Sequence, residues 1–255
     1  MPATNRRRRL SSPSVATART ASPPPPAAAT SRGGPAGEQI EPISLAINEI
    51  FVSIQGESTW AGRPCVFLRT TGCPLRCRWC DTEYAFFEGR RWRLEALVEE
   101  ACRHDIPLVE ITGGEPLAQP GTPALAAALQ RRGKTVLVET SGSFDISVLP
   151  EGCHAIMDLK CPSSGEGARN DLANLDRLRP GDEIKFVIGT RDDYEWAADM
   201  VRERRLTAGW AVLFSPVWKE LDPNRLAQWI LHDRLEVHLQ LQLHKILWPD
   251  VERGV

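Results

Sequence analysis

Short apolar segments typical of β-strands alternate with longer amphipathic segments from residue 47 to residue 255. Segments rich in Val, Ile, Leu or Phe and bounded by Gly, Pro or charge are predicted strands: Cys65–Thr71, Leu108–Thr112, Thr135–Thr140, Ala155–Lys160, Glu183–Ile188, Ala211–Ser215 and Val237–Leu243. Segments with apolar residues at helical spacing are predicted helices: Arg93–His104, Pro123–Arg132, Asn170–Leu178, Asp193–Arg205 and Pro223–His232. This alternation predicts a parallel sheet with helices outside it, either open and doubly wound or closed as a barrel. In both architectures ligands bind at the carboxyl ends of the strands.

The first 46 residues have a different composition from the rest of the chain. They hold eight of the 20 prolines and six Arg against two Glu, and they show no hydrophobic periodicity. Such a segment cannot bury enough apolar surface to fold, so residues 1–46 are predicted to be a disordered tail before a folded domain at 47–255. We interpret the run Arg6–Arg9 as solvated, because no apolar signal-peptide core follows it.

Charge and hydropathy narrow the classes of partner. The formal net charge is −2, and residues 47–255 carry 25 Lys and Arg against 31 Asp and Glu, a net charge of −6. We therefore expect no nucleic-acid partner. No run of eighteen apolar residues occurs, so no membrane span is expected. Seven cysteines are an odd number in a long chain, which favours a reducing compartment and predicts a cytoplasmic location.

Three cysteines are concentrated in one loop directly after a predicted strand. Cys73, Cys77 and Cys80 have the spacing C-x3-C-x2-C, and the nearest histidine, His104, falls on a predicted helix. Tetrahedral zinc needs four ligands, whereas three thiolates suit a [4Fe–4S] cluster that leaves one iron open to a non-protein ligand. Unrelated core cysteines would be out of place on a loop rich in Pro and Arg. Cys65, Cys102, Cys153 and Cys161 are predicted to be structural thiols.

The segment from Gly72 to Thr82 resembles the cluster loop of the radical S-adenosylmethionine (SAM) superfamily. Gly113-Gly114-Glu115-Pro116, at the end of the next predicted strand, resembles the motif with which that superfamily holds the amino group of the cofactor. The resemblance implies an α/β fold, a partial, modified TIM-type barrel with mostly parallel strands. It also implies a catalytic domain at 47–255 that begins radical chemistry by reductive cleavage of SAM.

Within the superfamily, five further stretches resemble the 7-carboxy-7-deazaguanine synthase family. They are Ile47–Glu57 with its Gln55-Gly56-Glu57, Val66–Arg69, Cys80–Thr82, Val138–Gly142 and Gln242–Lys245. The resemblance implies a carbon–nitrogen lyase of queuosine biosynthesis that converts 6-carboxy-5,6,7,8-tetrahydropterin to 7-carboxy-7-deazaguanine with loss of ammonia. It further implies a [4Fe–4S] cluster, SAM and Mg²⁺, an electron donor of flavodoxin or ferredoxin type, and a homodimer.

The family's roles carry over to matching positions of this chain. The implied substrate contacts are Ile54, Gln55, Gly56, Glu57, Arg69, Thr112 and His244. The implied SAM contacts are Trp79, Asp81, Gly114, Glu115, Asp158, Leu159, Lys160, Ser215 and Pro216. The implied metal ligands are Cys73, Cys77 and Cys80 for the cluster and the Thr82 hydroxyl for Mg²⁺. A planar guanidinium such as that of Arg69 suits the substrate carboxylate.

The chain departs from the family pattern at three places. Asp158 stands where the family has Ser, Ser215 stands where it has Gln, and the chain continues past Lys245 to Val255, which we do not assign to the substrate.

Two alternative functions would explain part of the same sequence motifs. A glycyl-radical activating enzyme would have the cluster and Gly-Gly-Glu-Pro motifs, but no need for Gln55-Gly56-Glu57 or Thr82. A metal-stabilised binding module without enzymatic activity would explain the cysteines only.

Overall fold

A computed structural model describes residues 42–255; the segment predicted to be a disordered tail lies outside the described residues up to residue 41. The first strand begins at Ser44, three residues before the predicted start of the folded domain. Leu45 and Ile47 are both buried in the core, so the apolar alternation already begins inside the segment assigned to the tail. The predicted boundary at 46/47 was therefore a few residues too late.

A nine-stranded sheet forms the centre of the domain, in the order β3-β1-β2-β4-β5-β6-β7-β8-β9. Its strands are β1 Ser44–Ile54, β2 Pro64–Thr70, β3 Arg90–Arg93, β4 Leu108–Gly113, β5 Thr135–Thr140, β6 His154–Leu159, β7 Glu183–Ile188, β8 Ala211–Pro216 and β9 His238–Leu239. All pairs from β2 to β9 are parallel, and only the pairs that β1 makes with β2 and β3 are antiparallel. The sheet is not closed, because β3 and β9 are its edges, and this agrees with the predicted partial barrel.

Five α-helices and seven short 3₁₀ turns connect the described strands. The α-helices are α1 Leu94–Cys102, α2 Thr122–Arg131, α3 Arg191–Glu203, α4 Pro223–Asp233 and α5 Leu243–Leu247. The 3₁₀ turns are Glu83–Phe86, Pro116–Ala118, Ile146–Val148, Pro162–Ser164, Gly167–Arg169, Leu172–Arg177 and Leu206–Ala208. None of the helices in residues 42–255 has the length and apolar character needed to cross a bilayer.

Two predicted elements were wrong. Residues 170–178 form 3₁₀ turns instead of an α-helix, because the fully buried Asn174 amide donates to the Gly142 and Phe144 carbonyls and so holds the segment against the loop after β5. The predicted strand 237–243 pairs only at His238–Leu239, since the Leu243 amide turns away to donate to the Gly56 carbonyl at 3.0 Å. Strands β1 and β3 were not predicted, and β3 consists of three arginines and one tryptophan.

The two faces of the sheet have separate apolar layers. One face packs against the helices through residues such as Leu68, Ile111 and Val138 on the strands and Leu125 on α2. The other face holds a smaller layer made of Phe51, Cys65, Phe67, Leu108, Leu137 and Ile156. Because side chains alternate along a strand, this smaller layer forms the floor of the concave, inward-facing surface.

The inward-facing positions change from largely apolar to polar toward the carboxyl ends of the strands. Near those ends the inward-facing residues are Arg69 on β2, Thr112 on β4, Glu139 on β5, Asp158 on β6 and Lys185 on β7. Register places Arg69 beside Thr112 and Asp158 beside Lys185. The fold thus gathers charged and polar groups from five strands at one edge.

Candidate active site

A cavity of about 430 Å³ opens at the carboxyl ends of the strands. It is lined by these predicted site residues: Ile54, Gln55, Gly56, Glu57, Arg69, Cys73, Cys77, Trp79, Cys80, Asp81, Thr82, Thr112, Gly114, Asp158, Lys160 and His244. The structure therefore brings together residues that are up to 190 positions apart in the chain (244 − 54). The residues assigned to the substrate and those assigned to the cofactors share one cavity.

The cysteine loop forms one wall of this cavity. Cys73, Cys77 and Cys80 are half-buried free thiols, and all three line the cavity. Burial raises the pKa of each thiol, and the nearby Lys160 ammonium opposes that rise. Within residues 42–255, no three His, Cys, Asp or Glu side chains converge as ligands of a single metal ion would. In a [4Fe–4S] cluster each cysteine binds a different iron, so three thiols on one loop fit such a cluster, whereas tetrahedral zinc needs four ligands.

The glycine turn after β4 packs directly on the cysteine loop. The Glu115 amide donates to the Gly72 carbonyl at 2.8 Å, and the Gly114 amide donates to the Thr70 carbonyl at 3.1 Å. A Cβ atom at Gly114 would collide with the Gly72 backbone and stand 3.0 Å from the Cys73 Cβ. Only glycine fits this close approach, so the turn and the loop hold each other in place.

Glu115 does not line the cavity, contrary to the direct SAM contact implied by the resemblance. Its carboxylate is fully buried and accepts hydrogen bonds from the Leu117 amide, the Thr140 hydroxyl and both the amide and the hydroxyl of Ser141. The distances are 2.5 to 2.9 Å. With both oxygens occupied, Glu115 connects the ends of β4 and β5 and is not free to bind a ligand.

Asp158 and Lys160 form a charged pair at the end of β6. Lys160 Nζ donates to Asp158 Oδ2 at 2.8 Å, whereas Asp158 Oδ1 is buried without any hydrogen-bond partner, alone in this respect among the side-chain atoms of residues 42–255. A buried acceptor left without a donor costs about 1–3 kcal/mol. Since Asp158 lines the cavity, a donor group on a bound molecule would relieve that cost. This observation is the fit expected of a cofactor with amino and hydroxyl groups, such as SAM.

Three other predicted SAM contacts are not brought to the cavity. Leu159 points to the opposite face of the sheet and is fully buried in the helix-side core. Ser215 and Pro216 lie within β8 and are buried there. The residues just beyond them line the cavity instead, namely Val217, Trp218 and Glu220. The predicted turn is close to the cavity, but the residues that line it come later in the chain than those the resemblance implies.

A buried ionic network forms the wall opposite the cysteines. Lys185 Nζ donates to Glu57 Oε2 and, at 2.7 Å, to Glu139 Oε1. Burial opposes the charge of Lys185, but the two carboxylates outweigh it and raise its pKa well above the ordinary value. Burial likewise opposes the charge of Glu57, yet the Lys185 ammonium keeps its pKa below the ordinary value. The network therefore holds Glu57 as an ionised carboxylate at the cavity surface at neutral pH.

Arg69 is fixed by one carboxylate and leaves the end of its fork free. Its Nε donates to Glu49 Oε1 at 2.7 Å, and the Tyr84 hydroxyl donates to the same oxygen at 2.9 Å. The guanidinium lies over the Phe51 ring at 5.5 Å. Within the described residues its two terminal nitrogens make no hydrogen bond, so they are available to a ligand carboxylate in the cavity.

Gly56 allows the C-terminal segment to close over the site. A Cβ atom there would lie 2.6 Å from Nδ1 of His244, and the Gly56 carbonyl accepts the Leu243 amide at 3.0 Å. Burial lowers the pKa of His244, so its imidazole is neutral at pH 7. Only glycine at position 56 lets this imidazole reach the cavity.

Thr82 stands at the edge of the cavity beside an ion pair. Its hydroxyl donates to Asp81 Oδ1 at 2.9 Å, and Lys245 Nζ donates to Asp81 Oδ2 at 2.5 Å. Asp81, assigned to SAM by the resemblance, is therefore already paired within the protein. The Thr82 oxygen keeps its lone pairs, which are the weak hard ligand that Mg²⁺ accepts together with water and substrate.

Several cavity residues were not predicted. They are Phe51, Phe67, Leu75, Phe86, Glu110, Gly113, Glu139, Thr140, Ser141, Lys185, Val187, Val217, Trp218, Glu220, Gln242, Lys245 and Val255. Some of these stood inside quoted motifs without an assigned role, such as Glu139 and Lys245. Val255, which was not assigned to the substrate, lines the cavity. No sequence motif around Lys185 predicts a site residue, because the role of a lysine in a strand depends on its neighbours across the sheet.

Comparison with known proteins places the chain among radical SAM proteins. Residues 67–207 match the Radical SAM superfamily model. A protein of Koribacter versatilis named 7-carboxy-7-deazaguanine synthase is 43% identical over 230 residues, covering 83% of this chain and 100% of the relative. Another of that name, from Chlorobaculum tepidum, is 43% identical over 214 residues, covering 83% of this chain and 97% of the relative.

Solved structures show the same fold. The crystal structure of QueE from Escherichia coli has a TM-score of 0.66 at 23% identity and covers 78% of this chain and 94% of that one. Streptococcus suis SuiB bound to the precursor peptide SuiA has a TM-score of 0.52 at 13% identity and covers 69% of this chain and 47% of that one. These similarities confirm the mostly parallel, partly closed α/β barrel.

Proposed function

Since the chain belongs to the radical SAM superfamily and, within it, to the 7-carboxy-7-deazaguanine synthase family, we propose that it converts 6-carboxy-5,6,7,8-tetrahydropterin to 7-carboxy-7-deazaguanine with loss of ammonia. The reaction is that of a carbon–nitrogen lyase in queuosine biosynthesis. The observation that carries the proposal is the single cavity whose one wall holds three thiols and whose other wall holds Arg69 and the Glu57–Lys185–Glu139 network.

The residues present fit the cofactors that membership of the superfamily implies. Cys73, Cys77 and Cys80 would hold a [4Fe–4S] cluster, and Gly114, Trp79, Asp158 and Lys160 would contact SAM. Bound together, cluster and SAM supply the one-electron chemistry that starts the reaction. The protein contributes binding, orientation and the exclusion of water. Thr82 would ligate Mg²⁺, which we propose as the third cofactor.

The opposite wall suits both ends of a carboxylated pterin. The free end of the Arg69 fork would bind the carboxylate of the substrate. Glu57, kept ionised by Lys185, would accept hydrogen bonds from the amino-substituted edge of the pyrimidine ring. His244, neutral and close to Gly56, and Thr112, which donates to Glu139 Oε2 at 3.3 Å, would flank the ring. These contacts hold the molecule at both ends, which leaves one orientation in the cavity.

The direct test is anaerobic. Protein reconstituted with iron and sulfide would be reduced and incubated with 6-carboxy-5,6,7,8-tetrahydropterin, SAM and Mg²⁺, and the mixture would be analysed by mass spectrometry. We expect the mass of 7-carboxy-7-deazaguanine. SAM cleavage without any deazapurine would leave the superfamily assignment intact and exclude the proposed substrate.

The alternatives named from the sequence gain no support. A glycyl-radical activating enzyme acts on a protein backbone, whereas the cavity of this chain is lined by paired charges suited to a small molecule. A binding module without activity does not account for the family match over residues 67–207. We further propose a cytoplasmic homodimer that receives electrons from a donor of flavodoxin or ferredoxin type.

Thr82→Ala should remove the Mg²⁺ dependence of the reaction. The variant keeps Asp81 and the cysteine loop but loses the hydroxyl that would bind the ion. We expect activity at saturating Mg²⁺ to fall about tenfold and the response to added Mg²⁺ to flatten. Thr71→Ala is the matched control, because the Thr71 hydroxyl donates to the Glu88 carbonyl and lies outside the cavity. A Thr82→Ala enzyme with a normal Mg²⁺ titration would exclude Thr82 as a ligand.

Arg69→Lys should weaken substrate binding more than turnover. A lysine keeps the charge but loses the fork, so at least one charge-assisted hydrogen bond worth about 1.5–3 kcal/mol is lost. We expect KM to rise about ten- to hundredfold with a smaller change in kcat. Arg63→Lys is the control, since Arg63 stacks on Trp60 and does not line the cavity. An unchanged KM in Arg69→Lys would contradict the assigned carboxylate contact.

A further inference from the structure

Glu110 on β4 lines the cavity, yet neither a motif nor the proposed mechanism gives it a role. Its side chain is 2% exposed. It faces inward two residues before Thr112, at the level where the apolar floor meets the polar layer above it. A carboxyl group at that depth needs a physical explanation.

The surroundings of Glu110 on the sheet are apolar. Its register partners are Phe67 on β2 and Leu137 on β5, and the preceding inward-facing residue of its own strand is Leu108. All three belong to the floor layer. Water can approach the carboxyl group only from the cavity, so an ionised form would be poorly solvated.

Among the described residues, no cation is left to pair with Glu110. The groups that face it are Glu57, Glu139, Lys185 and the buried thiol of Cys65, and the Lys185 ammonium is engaged by the first two. Burial, followed by repulsion from Glu139 and Glu57, raises the pKa of Glu110 well above its ordinary value. The thiol of Cys65 is also neutral, because burial raises its pKa. The apolar neighbours and the two nearby carboxylates therefore favour the neutral carboxylic acid over the carboxylate at Glu110.

One oxygen of this acid is used inside the protein and the other is not. Gln55 Nε2 donates to Glu110 Oε2, while Gln55 Oε1 accepts the Glu57 amide at 2.5 Å, which fixes the orientation of the amide. In the neutral acid, Oε2 then serves as the acceptor for Gln55, and Oε1 is the oxygen left to carry the proton. Within residues 42–255, Oε1 makes no hydrogen bond, so its O–H can donate to a molecule in the cavity.

We propose that Glu110 is a substrate-binding residue that acts as a neutral carboxylic acid and donates a hydrogen bond to the ring carbonyl of a pyrimidinone. The inference rests on the proposed function and deepens it. Ionised Glu57 can accept from the N–H groups of such a ring but cannot serve its C=O group, which needs a donor. Gln55 contacts both residues, so the Glu110 acid would bind the C=O group of the ring while the Glu57 carboxylate binds its N–H groups.

Three variants of the reconstituted, unreduced enzyme test this role by calorimetric titration with 6-carboxypterin in the presence of SAM and Mg²⁺. Glu110→Gln keeps a neutral donor and acceptor, so its affinity should stay within about threefold of the wild type. Glu110→Leu keeps the size but loses the donor, and its affinity should fall at least about tenfold. Glu183→Gln is the matched control, because Glu183 is equally buried but is bound by Thr59 outside the cavity, and its affinity should not change.

Infrared difference spectra distinguish a hydrogen bond to the ligand from a purely structural role of Glu110. The spectrum of wild type minus Glu110→Gln should contain the C=O band of a protonated acid, and 6-carboxypterin should shift that band. Equal losses in Glu110→Gln and Glu110→Leu, unchanged affinity in Glu110→Leu, or a band that the ligand does not shift would each overturn the assignment. If wild-type protein fails to bind 6-carboxypterin, the proposed function fails and the inference with it. If wild type binds and only the Glu110 outcomes fail, the proposed function stands.

Discussion

Cys77→Ala should abolish cleavage of SAM and formation of the deazapurine. Cys77 is one of three thiols that line the cavity, and no other cysteine of the described chain does so. Replacing even an outer partner of a metal ligand costs about 10- to 100-fold in affinity or activity, so removal of a ligand should cost at least about 100-fold. The measurement is the iron and sulfide content and visible absorbance after anaerobic reconstitution, followed by quantification of methionine released from SAM.

Cys102→Ser is the matched control for the loss of a thiol. Cys102 ends α1, is half-buried and does not line the cavity. We expect normal cluster content and normal SAM cleavage in this variant. If Cys77→Ala retained full cleavage, or if Cys102→Ser lost the cluster as completely as Cys77→Ala, the ligand assignment would be wrong.

The wall of the cavity formed by the cysteine loop and the glycine turn at Gly114 could be predicted from the sequence, because the residues of each motif are close in the chain. Cys73, Cys77 and Cys80 occupy one loop. Gly114 lies in a tight turn against that loop, where a Cβ atom would collide with the Gly72 backbone. In each case the chemistry depends on local spacing or on backbone conformation, which a motif records directly. Glu115 shows the limit of this reasoning, since its motif is intact but its oxygens bind Thr140 and Ser141 instead of facing the cavity.

The opposite wall, formed by Arg69 and the Glu57–Lys185–Glu139 network, could be predicted only in part. Glu57 lies in the loop after β1 and is 128 residues from Lys185 on β7, so their contact depends on where the sheet places the end of β1 relative to β7. Periodicity predicted the strand that contains Lys185 but gave no reason to expect a cation on its inward face. Glu110 was missed for the same reason, because its role follows from the register that places Phe67 and Leu137 beside it.

Lys185→Met should destabilise the protein and weaken substrate binding together. Lys185 is buried and donates to Glu57 and Glu139, so the substitution leaves two carboxylates unpaired next to Glu110. Breaking a buried pair by removing one partner costs about 3–5 kcal/mol. In a domain of this size that corresponds to a fall in Tm of roughly 6–20 °C. Thermal unfolding monitored by circular dichroism measures the loss, and calorimetric titration with 6-carboxypterin measures the binding defect.

Two comparisons separate the ionic role of Lys185 from simple packing. Lys134→Met removes a half-buried lysine that donates only to the Ile106 carbonyl, and it should cost about 1 kcal/mol. In the double variant Lys185→Met with Glu139→Gln, one unpaired charge is removed, so part of the lost stability should return. A single variant as stable as wild type, or a double variant less stable than the single one, would show that the network is not held by charge.

The pH dependence of the Lys185→Met defect follows from the signs of the two pKa shifts. The pKa of Glu57 is lowered on folding, so its contribution to stability is present above its unfolded value of about 4.3 and is lost as the pH falls through the folded value. The pKa of Lys185 is raised on folding, so its contribution is complete below about 10.4 and is lost as the pH rises through the folded value. The stability gap between wild type and variant should therefore narrow toward acid pH, where the unpaired carboxylates of the variant become protonated, and narrow again above about pH 10, where Lys185 of the wild type loses its charge. A gap that did not change at either end would mean that the methionine destabilises the protein through its shape and not through the lost charge. Lys185 would then not be what keeps Glu57 ionised, and the proposed substrate contact of Glu57 would have no support from this network.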